Sequence, residues 1–219
     1  MLRNKDFIKY QKVRKTLKPL DLIMFKGSNF VSNLTCHLGY GIDLSAFSHC
    51  GIIVTSEILD HPHVHPGKIY LWESTMNNSI GQGVPNIEGK LFSGIQLRDL
   101  DLLLPAYFED SRTTVAVCHL KDEFRYARDS ENAVGIFSEI FNKYNGIHCK
   151  SGCIASLCSF LFGEKEKWLF CSEFVSHVYQ DLGLFPNDID PEKIMPMDFI
   201  DVRNQEIPLI VEDPIYIQF

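Results

Sequence analysis

Short apolar runs of strand size, each bounded by glycine, proline or charge, constrain the fold of this chain more than any other feature. They occupy residues 21–25, 50–55, 69–73 and 114–118. Runs of about four to eight apolar or β-branched residues are too short for a buried helix and predict strands. Turn formers separate them, among them Gly27-Ser28 and the segment His61-Pro62-His63-Val64-His65-Pro66-Gly67. Compact connections predict antiparallel pairing, because a parallel pair needs a long crossover. Two amphipathic stretches come later. Residues 130–144 place Val134, Phe137, Ile140 and Phe141 on one helical face and stop at Gly146. Residues 172–182 place Phe174, Val175, Val178 and Tyr179 on one stripe, with Gly183 just beyond. The order is sheet, then helices, which predicts an α+β domain.

The remaining constraints are coarser. At 219 residues, with 45% hydrophobic and 22% charged residues, the chain can build one full core. A net charge of −7 argues against nucleic acid, whose phosphates demand a basic face. Residues 1–18 carry Arg3, Lys5, Lys9, Lys12, Arg14, Lys15 and Lys18 among apolar positions and predict one basic amphipathic helix ended by Pro19. Such a helix either packs on the domain or makes peripheral membrane contact. It has no apolar stretch of signal-peptide length, and residues 152–162 are too short to cross a bilayer, so a cytoplasmic location is expected. Seven cysteines, an odd number, suit a reducing compartment better than a disulfide scaffold.

Three residues carry candidate chemistry. Cys171 stands where an apolar approach meets the start of the second helix, so helix-end N–H groups would lower its pKa and hold an oxyanion. Its bland alternative is a buried structural cysteine. His49 enters the strongly apolar run at 50–55 and needs a polar partner there, while Gly51 permits a close approach. Glu73 closes the run at 69–73 and can fix the imidazole's tautomer, as the third member of a triad does. A satisfied structural histidine and a strand-end surface charge are the alternatives for these two. Zinc finds little support: Cys149-x3-Cys153 is the nearest approach to a knuckle and has no second one. No metal and no cofactor are expected.

Taken together, these pieces resemble the permuted papain-like branch of the NlpC superfamily, which includes YiiX-like and YebB-like proteins, lecithin-retinol acyltransferase-like enzymes and poxvirus and giant-virus relatives. Pro19-Leu-Asp-Leu-Ile-Met-Phe25 matches the opening strand, Ser48-His-Cys-Gly-Ile52 the histidine strand, and Trp72-Glu-Ser74 the strand of the third polar residue. Phe141-Asn-Lys-Tyr-Asn-Gly146 matches a helix-plus-Tyr-Asn segment, and Phe170-Cys-Ser-Glu-Phe-Val175 the nucleophile motif. The resemblance implies a permuted papain-like catalytic domain over 19–219, with a small barrel-like antiparallel sheet against helices and the nucleophile at a helix N-terminus. It implies a thiol hydrolase acting through Cys171, His49 and Glu73 on peptide, isopeptide or N-acyl amide bonds. Asp21, Tyr144 and the Cys171 backbone are then oxyanion or substrate contacts. Acylated or lipid substrates in an ester hydrolase or acyltransferase are the first alternative, and an inactive binding or structural protein is the second. The viral relatives extend the expected location to a host cytoplasm or a virion. Two departures stand out: Leu20 occupies a position where the family often has glycine, and residues 29–47 are long enough to form a loop over the cleft.

Overall fold

The structure, a computed structural model, describes residues 7–26, 47–75, 83–109, 113–126, 132–148, 169–201 and 208–218. Its strands are β1 (Ile8–Lys9), β2 (Leu22–Lys26), β3 (His49–Val54), β4 (Tyr70–Thr75), β5 (Gly94–Asp99), β6 (Thr114–Cys118) and β7 (Ile215–Gln218). Its helices are α1 (Tyr10–Val13), α2 (Leu100–Glu109), α3 (Asp122–Tyr126), α4 (Ala133–Tyr144) and α5 (Cys171–Asp181). The strands form one seven-stranded sheet in the order β1-β7-β6-β2-β3-β4-β5. Every pairing is antiparallel except that of β1 with β7. The α+β class therefore holds, and the apolar runs at 21–25, 50–55, 69–73 and 114–118 are strands to within about two residues at their ends.

The barrel-like, purely antiparallel sheet is corrected: the sheet is mixed and open, with β1 and β5 at its two edges. Period-two alternation explains why it stays open. Leu22, Met24, Cys50, Ile52, Trp72, Ala116 and Cys118 point to one face and pack against Phe137, Phe141, Phe174 and Val178 of α4 and α5. Ile23, Phe25, Ile53, Leu71, Val115 and Val117 point to the other, against Tyr10, Val13, Leu103, Leu104 and Tyr107. With helices on both faces, each side of the sheet is already covered and has no lumen to close around. Trp72, wholly buried, centres the first core, with Phe174, Phe141 and Phe137 ring centroids at 4.7, 5.1 and 5.7 Å.

One continuous helix over 1–18 is also corrected for its described part. Residues 8–9 are a strand, 10–13 a single helical turn and 14–16 a tighter one. Tyr10, Val13 and Leu17 enter the second core, and Ile8 pairs with Ile217. The basic side chains are the solvated complement of that packing. Tyr10 and Arg14 both hydrogen-bond to Asp101 at 2.8 Å, which fixes the segment on α2. Leu20 takes φ 69°, the left-handed conformation that glycine adopts at no steric cost. A leucine there costs about 1–2 kcal/mol. Its backbone N–H donates to the Ile53 carbonyl at 2.8 Å and its side chain is buried, which holds the turn in place. The insert at 29–46 and the apolar segment at 152–162 lie outside the described residues.

Candidate active site

His49 is the first residue of β3, and Glu73 lies on the neighbouring strand β4. The register pairs Ile52 with Trp72 and Ile53 with Leu71, so Glu73 falls on the face shared by His49, Gly51 and Ile53. Gly51 is what lets them meet. A Cβ there would sit 3.0 Å from Glu73 Cβ and 3.0 Å from the Trp72 carbonyl oxygen, tighter than ordinary contact. The close approach expected at this glycine is thus that of the adjacent strand and its carboxylate.

Glu73 is wholly buried and both its oxygens are occupied. Oε2 meets His49 Nε2 at 2.6 Å, and Oε1 accepts from Arg98 Nε at 2.9 Å and from Arg98 Nη2. Burial alone would favour the neutral acid. The Arg98 guanidinium and then His49 overcome it, holding the carboxyl at about 2. Arg98 is itself 4% exposed, and Tyr107 of α2 hydrogen-bonds to it. A carboxylate fixed in its charged form is a rigid acceptor that sets the imidazole plane.

Cys171 begins α5, and three side chains hold that helix start. Ser74 Oγ donates to the Leu169 carbonyl at 2.5 Å, Ser172 Oγ donates to the Ile194 carbonyl at 2.6 Å, and the Phe170 N–H donates to Glu173 Oε2 at 3.1 Å. The first N–H groups of a helix have no intrahelical acceptor, so that of Cys171 is free to bind an anion. The thiol reaches two partners on β3. It packs against the buried cluster that contains Cys50, and the electrostatics couple it to Cys50 and His49. His49 Nε2 is taken by Glu73, which leaves Nδ1 for a thiol partner.

The electrostatics follow. Hydrogen bonding from Cys50 lowers the Cys171 pKa well below the ordinary thiol value; burial opposes this, and the positive charge of His49 adds to it. Burial also opposes protonation of His49, but the adjacent Cys171 sulfur and then Glu73 outweigh it and raise the imidazole above its usual range. Opposite shifts on touching groups describe a thiolate–imidazolium pair. Burial and the neighbouring Cys171 push the Cys50 thiol up, so it stays protonated and donates.

Two expected contacts are not brought to this cluster. Asp21 precedes β2, whereas His49 pairs with Phe25 at its other end, roughly 13 Å away along the strand. It is wholly buried and accepts from the Lys18 N–H at 2.8 Å, the Leu120 N–H at 2.9 Å and Arg125 Nη2, with His119 Nδ1 at 2.7 Å. Its role is to knit β2, β6 and α3 together. Tyr144 ends α4 and packs on Phe174 and His177, with centroids at 6.0 and 6.2 Å. Its hydroxyl interacts with Lys143 and Asp181. Asp181 is ten residues beyond Cys171, about 15 Å along the helix.

Sequence reasoning missed Arg98 and Cys50. The alternation Ile95-Gln96-Leu97-Arg98 marks β5 and was the available signal for a strand beside Glu73. Cys50 was read only as part of an apolar run. Among the described residues no cluster of histidine, cysteine and carboxylate can hold a metal ion, and no helix is long and apolar enough to cross a membrane. Cys36, Cys149, Cys153 and Cys158 lie outside the described residues. A scan of protein-family models and a search of curated proteins find no match to this chain.

Proposed function

We propose that the chain is a thiol hydrolase of permuted papain-like type, cleaving peptide, isopeptide or N-acyl amide bonds. The observation that carries it is the two-sided engagement of one imidazole. Glu73 holds Nε2 at 2.6 Å, and the same imidazole is electrostatically coupled to the thiol of a helix-initial cysteine. Cys171 is the nucleophile, His49 the general base and acid, Glu73 the residue that orients it, and Arg98 a positioning residue acting through Glu73.

The thiolate of Cys171 attacks the carbonyl carbon, and the developing oxyanion takes the Cys171 N–H; one such donor is worth about 3–4 kcal/mol. His49 Nδ1 gives its proton to the leaving amine, and a thioester remains on Cys171. The now neutral imidazole takes a proton from water, which attacks the thioester and releases the acid. Glu73 compensates the imidazolium each time it forms.

The experiment is alkylation of the native protein across pH followed by peptide mapping, for wild type and His49→Ala. Cys171 is expected to outpace every other cysteine below the free-thiol pKa and to lose that advantage without His49. Acyl probes of amide and ester type then define the bond cleaved. Equal reactivity of all accessible cysteines would remove the nucleophile and leave a binding scaffold.

A further inference from the structure

Cys50 follows His49 directly, and the hydrolytic steps leave its thiol unused. Its side chain is wholly buried on the face that receives α5, in the cluster against which Cys171 packs. Cys118, also buried, instead contacts Met24 Sδ at 3.6 Å. Of the described thiols, Cys50 is therefore the one placed to meet Cys171.

We propose that Cys50 is a resolving cysteine, and that peroxides convert the site reversibly to a Cys50–Cys171 disulfide. The inference rests on Cys171 being the thiolate nucleophile of the proposed hydrolase. In the first step Cys171 Sγ attacks a peroxide oxygen. The O–O bond breaks, an S–O bond forms, and the leaving oxygen takes the His49 proton, so sulfur is oxidised by two electrons and the peroxide is reduced. In the second, Cys50 Sγ attacks Cys171 Sγ. The S–S bond forms as the S–O bond breaks, and the hydroxide leaves as water with the Cys50 proton passed through the now neutral His49. The sum is two thiols and one peroxide giving a disulfide, an alcohol or water, and water.

The arrangement explains why Cys50 is silent until needed. While Cys171 is a thiolate, its charge and the surrounding burial keep Cys50 protonated. Oxidation of Cys171 to the neutral sulfenic acid removes that charge and frees a base beside the Cys50 thiol. The disulfide caps the sulfur before a second peroxide carries it to sulfinic acid, which ordinary thiol reductants do not reverse.

The test treats the reduced full chain with hydrogen peroxide near equivalence and maps its peptides without reduction, after first measuring the Cys171 alkylation rate. A linked pair containing Cys50 and Cys171 is expected, with thiol reductant restoring the full alkylation rate. Under the same dose Cys50→Ala should accumulate sulfinic acid at Cys171 and recover little. Sulfinic acid at Cys171 in the wild type, linkage of Cys171 to another cysteine, or resistance of a fast-alkylating Cys171 to peroxide each overturns the proposal and leaves the hydrolase standing. A Cys171 that alkylates no faster than the other cysteines overturns both, and the rate measurement separates that case from the others.

Discussion

Two buried clusters lie at opposite ends of β2, and each joins a carboxylate, a histidine and an arginine. Glu73 engages His49 at 2.6 Å and Arg98; Asp21 engages His119 at 2.7 Å and Arg125. Both carboxylates are wholly buried. They differ in what the far imidazole nitrogen meets. His49 meets the thiol of a helix-initial cysteine, whereas His119 Nε2 lies 3.3 Å from Thr16 Oγ1, whose hydroxyl already donates to the Val13 carbonyl at 2.8 Å. An oriented imidazole is thus a general building block of this fold. Under the proposed function, chemistry falls to the copy whose imidazole is coupled to the thiol of a helix-initial cysteine.

The sharpest way to break the comparison is to remove the nucleophile. Cys171→Ala should reduce turnover of an amide probe on the order of 10⁴-fold. Its thermal unfolding midpoint should stay near that of wild type, because the thiol is partly exposed. A variant with undiminished turnover would show that the two clusters are equivalent. Next in size is Asp21→Ala, which takes the wholly buried carboxylate away from the half-buried Arg125. Removing one member of such a pair costs about 3–5 kcal/mol, visible in urea unfolding, while the relative alkylation rate of Cys171 should be unchanged. Arg98→Met should combine the effects, lowering stability and slowing Cys171 alkylation, because Glu73 loses the charge that keeps it ionised. Full reactivity in that variant would reduce Arg98 to a structural ion pair.

The pH dependence of stability gives a smaller effect. Glu73 sits at about 2 in the folded chain, below its ordinary carboxylate value, so the unfolded chain binds more protons over that interval. Its contribution is therefore present above the usual carboxylate range and lost as pH falls toward about 2. Glu73→Gln should flatten the acid limb of unfolding free energy against pH. Smallest is His119→Asn, expected to cost about 1 kcal/mol through the lost bond to Asp21, whose Oδ2 keeps the Lys18 N–H, and to leave the pH profile of Cys171 alkylation unmoved.

Much of this contrast was legible beforehand, for local reasons. Strands at 22–26, 49–54, 70–75 and 114–118 announce themselves by short apolar runs, and α4 and α5 by a stripe and a terminal glycine, whereas α2 is not announced. His49 and Cys171 stand at element ends and Glu73 closes an apolar run within β4, where a polar residue has few structural reasons to be. Arg98 was harder, since a charged residue at a strand position looks solvent-facing until the strand beside it is known. Asp21 was misassigned because a buried carboxylate knitting backbone N–H groups has the same sequence appearance as one that binds a substrate. The edge pair β1 and β7 has no local signal, because each strand is completed by residues at the other end of the sequence. Its basic and apolar alternation was accordingly read as a helix.

That edge pair also bears on how the chain is made. β7 lies between β1 and β6, so during synthesis the β6 edge stays open until residues 215–218 have left the ribosome. The exposed strand is Thr-Val-Ala-Val-Cys, uncharged and rich in β-branched residues. Such an edge is a template for pairing between chains. Yield in a heterologous host should therefore depend on folding being held back until residues 215–218 have emerged, which slow growth at low temperature or a holding chaperone supplies.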